Sequence, residues 1–127
     1  MIGIRRYFDG RLFFADTPQW LLDQFDKKIE QKEATGKITT WERSRNGEYY
    51  THKSEEWGKK AWFKPTVERD RLVFNIIKPK DRNITKPVYG YYHGHLIETF
   101  LNHFDQNFTK AEATALAARG DRCSSEE

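Results

Sequence analysis

The residues of this sequence best suited to chemistry are two closely spaced histidines. His93 and His95 are separated by one residue, so an extended backbone would point both imidazoles in the same direction. Zinc or iron would need a third protein ligand, which Glu98, His52 or His103 could supply. One hypothesis for function is therefore a metal site formed by His93, His95 and Glu98.

The same region also offers an acid–base pair. If the segment is helical, His95 and Glu98 lie on one face at a spacing of three residues, where they can exchange a proton with a substrate. On a helix face exposed to solvent, however, the two would be an ordinary solvated pair. Cys123 lies in a polar terminal segment that offers no positive, partly buried setting to activate a thiol.

Motifs that would identify an enzyme are missing from the sequence. It contains no Gly-x-Ser-x-Gly elbow, no phosphate-binding glycine loop and no His-Glu-x-x-His. We therefore favour binding over catalysis, expect no cofactor, and keep a metal-dependent or acid/base enzyme as an alternative.

The middle of the chain is basic and aromatic, which suggests a nucleic-acid-binding domain as another alternative. Residues 37–86 carry 13 basic and 7 acidic side chains. The aromatic residues interleaved with them are Trp41, Tyr49, Tyr50, Trp57 and Trp62. Cations beside exposed rings on a sheet suit single-stranded nucleic acid, because phosphates meet the cations and bases stack on the rings. The competing interpretation is that the rings form the core and the cations are solvated.

Composition limits the class of protein and its setting. The chain has 127 residues, of which 37% are hydrophobic and 15% aromatic, and large aromatic side chains can fill a small core. It has 1 cysteine, no apolar run typical of a signal peptide, and no stretch approaching the roughly 18 apolar residues of a membrane span. We therefore expect a cytoplasmic protein with no membrane contact.

The first third of the chain predicts a hairpin and a helix. Asp9-Gly10 separates two short aromatic-rich runs, which indicates a hairpin turn. Thr17-Pro18 is typical of a helix N-terminus, and Gly36 of a helix end. The apolar spacing between them predicts a helix over 18–34.

Two further hairpins are predicted in the middle. Asn46-Gly47 would join strands 38–45 and 48–53, pairing Arg43 with Tyr50. Strands 61–68 and 71–78 would pair Phe63 with Ile76 on the core face.

The last third predicts a loop, two helices and a tail. Residues 78–87 are polar, and helical apolar spacing begins near Gly94. Thr109 and Glu112 form a capping-box pattern, which predicts a short helix over 110–119. We expect a single domain over 1–120 and a disordered polar tail over 121–127.

The predicted fold is α+β: hairpin, helix, four strands, helix and short helix, with a mostly antiparallel sheet and helices packed on one face. The other sheet face would then be bare, and Trp62, Val73 and Ile77 on it would form an apolar patch. We therefore predict a non-catalytic binding or regulatory module that contacts a partner protein or a second copy of itself through this face. The predicted binding residues are Trp41, Arg43, Tyr50, Trp62 and Lys64.

Overall fold

The structure is a computed structural model that describes residues 1–5 and 17–125. Its elements are β1 (Ile2–Arg5), α1 (Pro18–Glu30), β2 (Trp41–Arg43), β3 (Tyr50–His52), β4 (Trp62–Val67), β5 (Arg71–Ile77), α2 (Lys86–Phe104) and β6 (Lys110–Ala113). The strands form one antiparallel sheet in the order β2-β3-β4-β5-β1-β6. The predicted α+β class with a mostly antiparallel sheet is confirmed.

Both helices pack on the same side of the sheet, here called the inner face. The ring of Phe25 in α1 lies 4.8 Å from that of Tyr50, and the ring of Phe100 in α2 lies 5.7 Å from that of Phe74. Sheet side chains that are almost fully buried on this face are Ile2, Ile4, Trp41, Tyr50, Phe63, Leu72, Phe74 and Ile76. Burial of this apolar surface is the main term that stabilises the fold.

Helix α1 begins where the sequence predicts and ends earlier. The Thr17 side chain accepts a hydrogen bond from the Trp20 amide, and Pro18 occupies the first turn. The helix ends at Glu30 because Gln31 takes an extended conformation, so the predicted end at residue 34 is wrong. The predicted N-terminal hairpin falls largely on residues 6–16, which lie outside the described residues.

The two middle hairpins have the predicted register. Arg43 pairs with Tyr50 across β2 and β3, and Phe63 pairs with Ile76 across β4 and β5. In the first turn Gly47 has a positive φ of 76° and Asn46 has a negative φ, so the turn is not the type I′ turn in which both residues have positive φ. The turn is nevertheless closed by a hydrogen bond from the Gly47 amide to the Ser44 carbonyl.

Helix α2 is longer than predicted, because it begins eight residues before Gly94, within the predicted polar loop. Thr85 caps its first turn through a hydrogen bond from the Val88 amide, and a proline stands at the start of the helix. Val88, Tyr92 and Leu96 are buried at a spacing of four residues, so the apolar stripe covers the whole helix.

The predicted short helix over 110–119 is wrong. Lys110–Ala113 form β6, which pairs with β1 along its length. The Thr109 amide donates to the Arg5 carbonyl, so the segment is drawn to the free edge of β1 rather than into a capped helix.

The sequence predicts a disordered tail over 121–127, but residues 121–125 have defined contacts with the rest of the fold. Asp121 is 9% exposed and accepts hydrogen bonds from Asn75 and Ile76. Arg122 forms a parallel bridge with Ile77, which extends the pairing of the sheet. The terminal segment therefore belongs to the fold at these positions.

Candidate functional site

A pocket lies on the side of the sheet opposite the helices, here called the outer face. Trp62 and Ile77 pair across β4 and β5 and alternate with Phe63 and Ile76, which are fully buried on the inner face. Together with Tyr49, the β2–β3 turn and residues 78–80, they line a cavity of about 580 Å³. We call this cavity the outer-face pocket. Its volume lies in the roughly 300–1,000 Å³ range of ligand-binding pockets.

One wall of the outer-face pocket is apolar and aromatic. Tyr49, Trp62 and Ile77 are half-buried, and Pro79 lies beside them. Trp62, Tyr49 and Ile77 belong neither to the buried core nor to the side chains packed against it. These side chains can therefore contact a ligand without disturbing the inner core.

The other wall carries positive charge. Arg45 and Lys80 are exposed, and Lys78 is half-buried with its ammonium donating to the Pro79 carbonyl. No carboxylate is among the described residues that line the pocket, and none of the ion pairs within the described chain includes Arg45, Lys78 or Lys80. The pocket therefore favours a ligand that is apolar in part and negatively charged in part.

Elsewhere on the outer face the arginines are neutralised. Arg5 contacts Asp70 at 3.2 Å and Glu112 at 3.1 Å. Arg71 contacts Glu68 at 2.5 Å. Arg5 and Arg71 are therefore neutralised, whereas Lys64, which alternates with Phe63 and is exposed on this face, makes no ion pair within the described residues.

Three of the predicted binding residues meet at a second cleft, of about 420 Å³, between α1 and the β2–β3 hairpin. Arg43, Tyr50 and Lys64 line it together with Asp26. The Tyr50 hydroxyl donates a short hydrogen bond to Asp26, while Arg43 donates to Glu30 at 2.6 Å and lies 3.5 Å from Asp26. These polar groups bind one another and hold the hairpin against α1, which indicates a structural role.

The protonation behaviour of this cluster has a physical cause. Burial raises the pKa of Asp26, and the hydrogen bond from Tyr50 and the charge of Arg43 partly offset the rise. Burial and the adjacent Asp26 carboxylate raise the pKa of Tyr50. The tyrosine therefore stays protonated and keeps donating to the carboxylate.

The predicted anchors Trp41 and Tyr50 are not surface residues. Each is 1% exposed on the inner face, and the Trp41 indole donates to the buried Thr99 hydroxyl at 2.9 Å. Their assignment to a bare sheet face is therefore corrected. Trp62 does lie on the outer face, and Lys64 is exposed beside the second cleft.

The predicted metal ligands His93 and His95 are separated by the geometry of α2. In a helix, residues two apart point in different directions, so the predicted extended arrangement does not form. His93 faces the N-terminus of the chain, where its Nε2 lies 2.9 Å from the Met1 α-amino group. His95 instead stacks on Tyr91 at a ring separation of 4.0 Å.

Burial and the adjacent amino group lower the pKa of His93 to about 4. Its Nδ1 lies 2.7 Å from the Tyr89 carbonyl, which fits a neutral ring that donates from Nδ1 and accepts at Nε2. His93 is thus a structural hydrogen-bonding group.

Two histidines contact each other: the rings of His52 and His95 are 5.3 Å apart. Among the residues that the structure describes, buried His52 Nε2 has no hydrogen-bond partner, and Nδ1 accepts from the Ser54 amide at 3.2 Å. Glu98 is exposed on the same helix. Over residues 1–5 and 17–125, no three His, Cys, Asp or Glu side chains are grouped so that they could hold a metal ion.

Comparison of the chain with protein-family models, curated proteins and solved structures finds no match. In the part of the chain that the structure describes, no helix is long and apolar enough to cross a membrane.

Sequence analysis named Trp62 and Ile77 for the sheet face and included Arg45, Lys78 and Lys80 in the basic segment 37–86, but it did not predict that the two groups meet. Arg45 and residues 78–80 belong to a turn and a loop, whose positions depend on how the hairpins pack. The signal that could have pointed to them is Lys78-Pro79-Lys80, which follows β5 directly and so must lie beside the end of that strand.

Proposed function

We propose that this protein is a non-catalytic binding module that contacts a partner protein through the outer-face pocket. The observation that carries the proposal is the meeting of half-buried Tyr49 and Trp62 with Arg45 and Lys80, which form no ion pair within the described residues, at one concave site. Tryptophan, tyrosine and arginine are the residues enriched at the energetic centres of protein interfaces. A reducing, cytoplasmic setting is part of the same proposal, because the chain has 1 cysteine.

The arrangement of the ionisable groups supports binding over catalysis. Asp26, Arg43 and Tyr50 meet at a cleft, where the Tyr50 hydroxyl donates to Asp26 and the Arg43 guanidinium forms ion pairs with Asp26 and Glu30 of α1. His93 has a strongly lowered pKa, yet it contacts the N-terminal amino group and a backbone carbonyl. Neither cluster leaves a titratable group aimed at a bound substrate.

A protein partner fits this surface better than a nucleic acid. Single-stranded nucleic acid binds along a track of cations with successive stacking platforms. The arginines that would continue such a track, Arg5 and Arg71, are ion-paired with carboxylates. Arg45, Lys78 and Lys80 are grouped at one pocket, which suits a localised contact.

The proposal is tested by selecting displayed random 12-residue peptides on the purified protein and measuring the affinity of the selected peptides. Trp62→Ala should weaken them about tenfold or more, since loss of an anchoring aromatic costs about 2 kcal/mol. Leu116→Ala is the matched control, because Leu116 is 81% exposed and does not line the pocket. Circular dichroism checks that both variants fold.

Two further measurements separate the alternatives. Sedimentation equilibrium of the unmodified protein and Trp62→Ala detects a second copy as the partner. Labelled single-stranded and double-stranded RNA and DNA, titrated at low and moderate salt, test the nucleic-acid class. Micromolar binding that weakens steeply with salt, without any peptide that depends on Trp62, would contradict the proposal.

A further inference from the structure

A second, smaller pocket adjoins the outer-face pocket. It has a volume of about 240 Å³ and shares the wall formed by Ile77, Lys78, Pro79 and Lys80. Arg122 and Ser125 lie on its far side. We call it the side pocket. One ligand that crosses the shared wall could occupy both cavities.

The shared wall is held in place by backbone hydrogen bonds. The Lys78 amide donates to the Arg122 carbonyl at 2.7 Å, and the Arg122 amide donates to the Ile76 carbonyl at 2.8 Å. The Ser125 amide donates to the Asn83 side chain at 3.2 Å, which ties the terminal segment to the loop before α2. A site formed in advance costs less conformational entropy on binding.

The charge of the two cavities has one sign among the residues that the structure describes. Arg45, Lys78 and Lys80 border the outer-face pocket, and Arg122 borders the side pocket. No ion pair within residues 1–5 and 17–125 includes any of these four. The potential at the shared wall is therefore positive, which attracts carboxylates.

The apolar part of the site is on one side of that wall. Tyr49 and Trp62 line the outer-face pocket and not the side pocket, whereas the side pocket has polar residues opposite the shared wall. A ligand with an apolar or aromatic side chain would place it against Trp62. Negative groups next to that side chain would reach Lys78, Lys80 and Arg122.

Resting on the proposed function, we infer that the two pockets take a short acidic peptide segment of the partner, with an aromatic or large apolar side chain flanked by carboxylates. The aromatic side chain enters the outer-face pocket and the carboxylates contact the shared wall and Arg122. Charge-assisted hydrogen bonds to lysine and arginine fix the orientation of the segment.

The test uses defined peptides observed by amide NMR at low salt. The probe is an acetylated and amidated Gly-Glu-Glu-Phe-Glu-Glu-Gly peptide, with one matched peptide carrying Gln for each Glu and another carrying Ala for Phe. The acidic aromatic peptide should shift the amides around Trp62 and Lys80. Both matched peptides should bind at least about fivefold more weakly, because each loses one of the two kinds of contact. The titrations are repeated in Glu126→Gln/Glu127→Gln protein, so that these two carboxylates cannot compete.

Variants locate the contact. Lys80→Gln and Arg122→Gln should each weaken the acidic peptide about two- to fivefold, as expected for one exposed charge pair. Lys32→Gln is the matched control, since Lys32 is exposed and lines neither pocket. Equal loss in the control variant would reveal a general charge effect and overturn the inference.

The remaining outcomes distinguish the inference from the proposed function. Equal binding of the Glu and Gln peptides, with both lost in Trp62→Ala, would overturn the acidic ligand and leave the partner-binding pocket standing. No binding of any probe at millimolar concentration would overturn the inference, while the displayed-peptide selection decides the proposed function separately. Tighter binding of labelled single-stranded RNA at the same amides would overturn both.

Discussion

The α-amino group of Met1 donates a hydrogen bond of 3.0 Å to the buried carboxylate of Asp121. The same carboxylate accepts from the side chain of Asn75 and from the amides of Ile76 and Ala118. Burial alone would raise the pKa of Asp121, but these donors and the positive amino group hold it below its usual value. One buried anion thus joins the start of β1, the end of β5 and the terminal segment.

The first prediction is that Asp121→Asn destabilises the fold by about 3 kcal/mol. Each carboxylate oxygen of Asp121 accepts hydrogen bonds, so an amide would place its NH₂ group against a donor and leave the amino group of Met1 without its counter-charge. Urea unfolding at pH 7 measures the change. Asp105→Asn, at an exposed position after α2, is the control and should change stability by less than about 0.5 kcal/mol. Equal stability of the two variants would show that the buried ion pair contributes nothing.

The second prediction concerns the loss of folding stability at acidic pH. His93 is neutral in the folded protein, where its pKa is about 4, and becomes protonated near pH 6.5 in the unfolded chain. The unfolded state therefore takes up a proton first, and folding stability falls as pH drops from about 6.5 towards 4. The expected loss from this residue is up to about 3 kcal/mol over that range.

Urea unfolding of the unmodified protein and His93→Gln at several pH values measures this dependence. The variant should be less stable at pH 7 but lose less stability between pH 6.5 and 4. Some dependence should remain, because burial and His95 also lower the pKa of His52. An unchanged pH slope in His93→Gln would mean that His93 is not the group that takes up the proton.

The third prediction tests β6, which local sequence patterns did not predict. The Thr114 amide donates to the Met1 carbonyl, and the register pairs Glu112 with Gly3, so the amides of alternate residues point towards β1. Glu112→Pro should remove such a donor and cost about 3 kcal/mol, whereas Ala113→Pro should cost about 1 kcal/mol or less. Glu112→Gln separates the loss of the Arg5 contact from the loss of the amide. If Ala113→Pro were the more damaging change, the register of β6 would be wrong.

The elements that sequence analysis predicted correctly are those with local chemical signals. Thr17-Pro18 marks the start of α1, and alternation around Phe63 and Phe74 determines which faces of β4 and β5 are buried. The hairpin register followed from Asn46-Gly47, and the turn is closed by the hydrogen bond from the Gly47 amide to the Ser44 carbonyl. Local conformational preference and burial agree at these positions, so a short window of sequence suffices.

The errors arose where distant contacts decide the structure. Thr109 and Glu112 match a helix cap, but the free edge of β1 offers the segment backbone hydrogen bonds that a short isolated helix cannot equal. Gly90 and Gly94 weakened the helical pattern of α2, yet packing of Tyr92 and Leu96 on the sheet keeps the helix continuous. The outer-face pocket similarly combines a turn, two strand ends and a loop, whose proximity no local pattern encodes.

The last prediction contrasts two tryptophans that the sequence alone placed in one binding face. Trp41 is 1% exposed, lies among aromatic core residues and donates to Thr99, so Trp41→Ala should cost about 3–5 kcal/mol. Trp62 is half-buried and lies outside the core, so Trp62→Ala should cost about 1 kcal/mol or less and act on binding instead. Urea unfolding and binding of the selected peptides, measured on both variants, separate the two roles. Trp62 lines the pocket on the outer face, whereas Trp41 is buried on the inner face. If Trp62→Ala unfolds, Trp62 is a core residue and the outer-face pocket loses its proposed anchor.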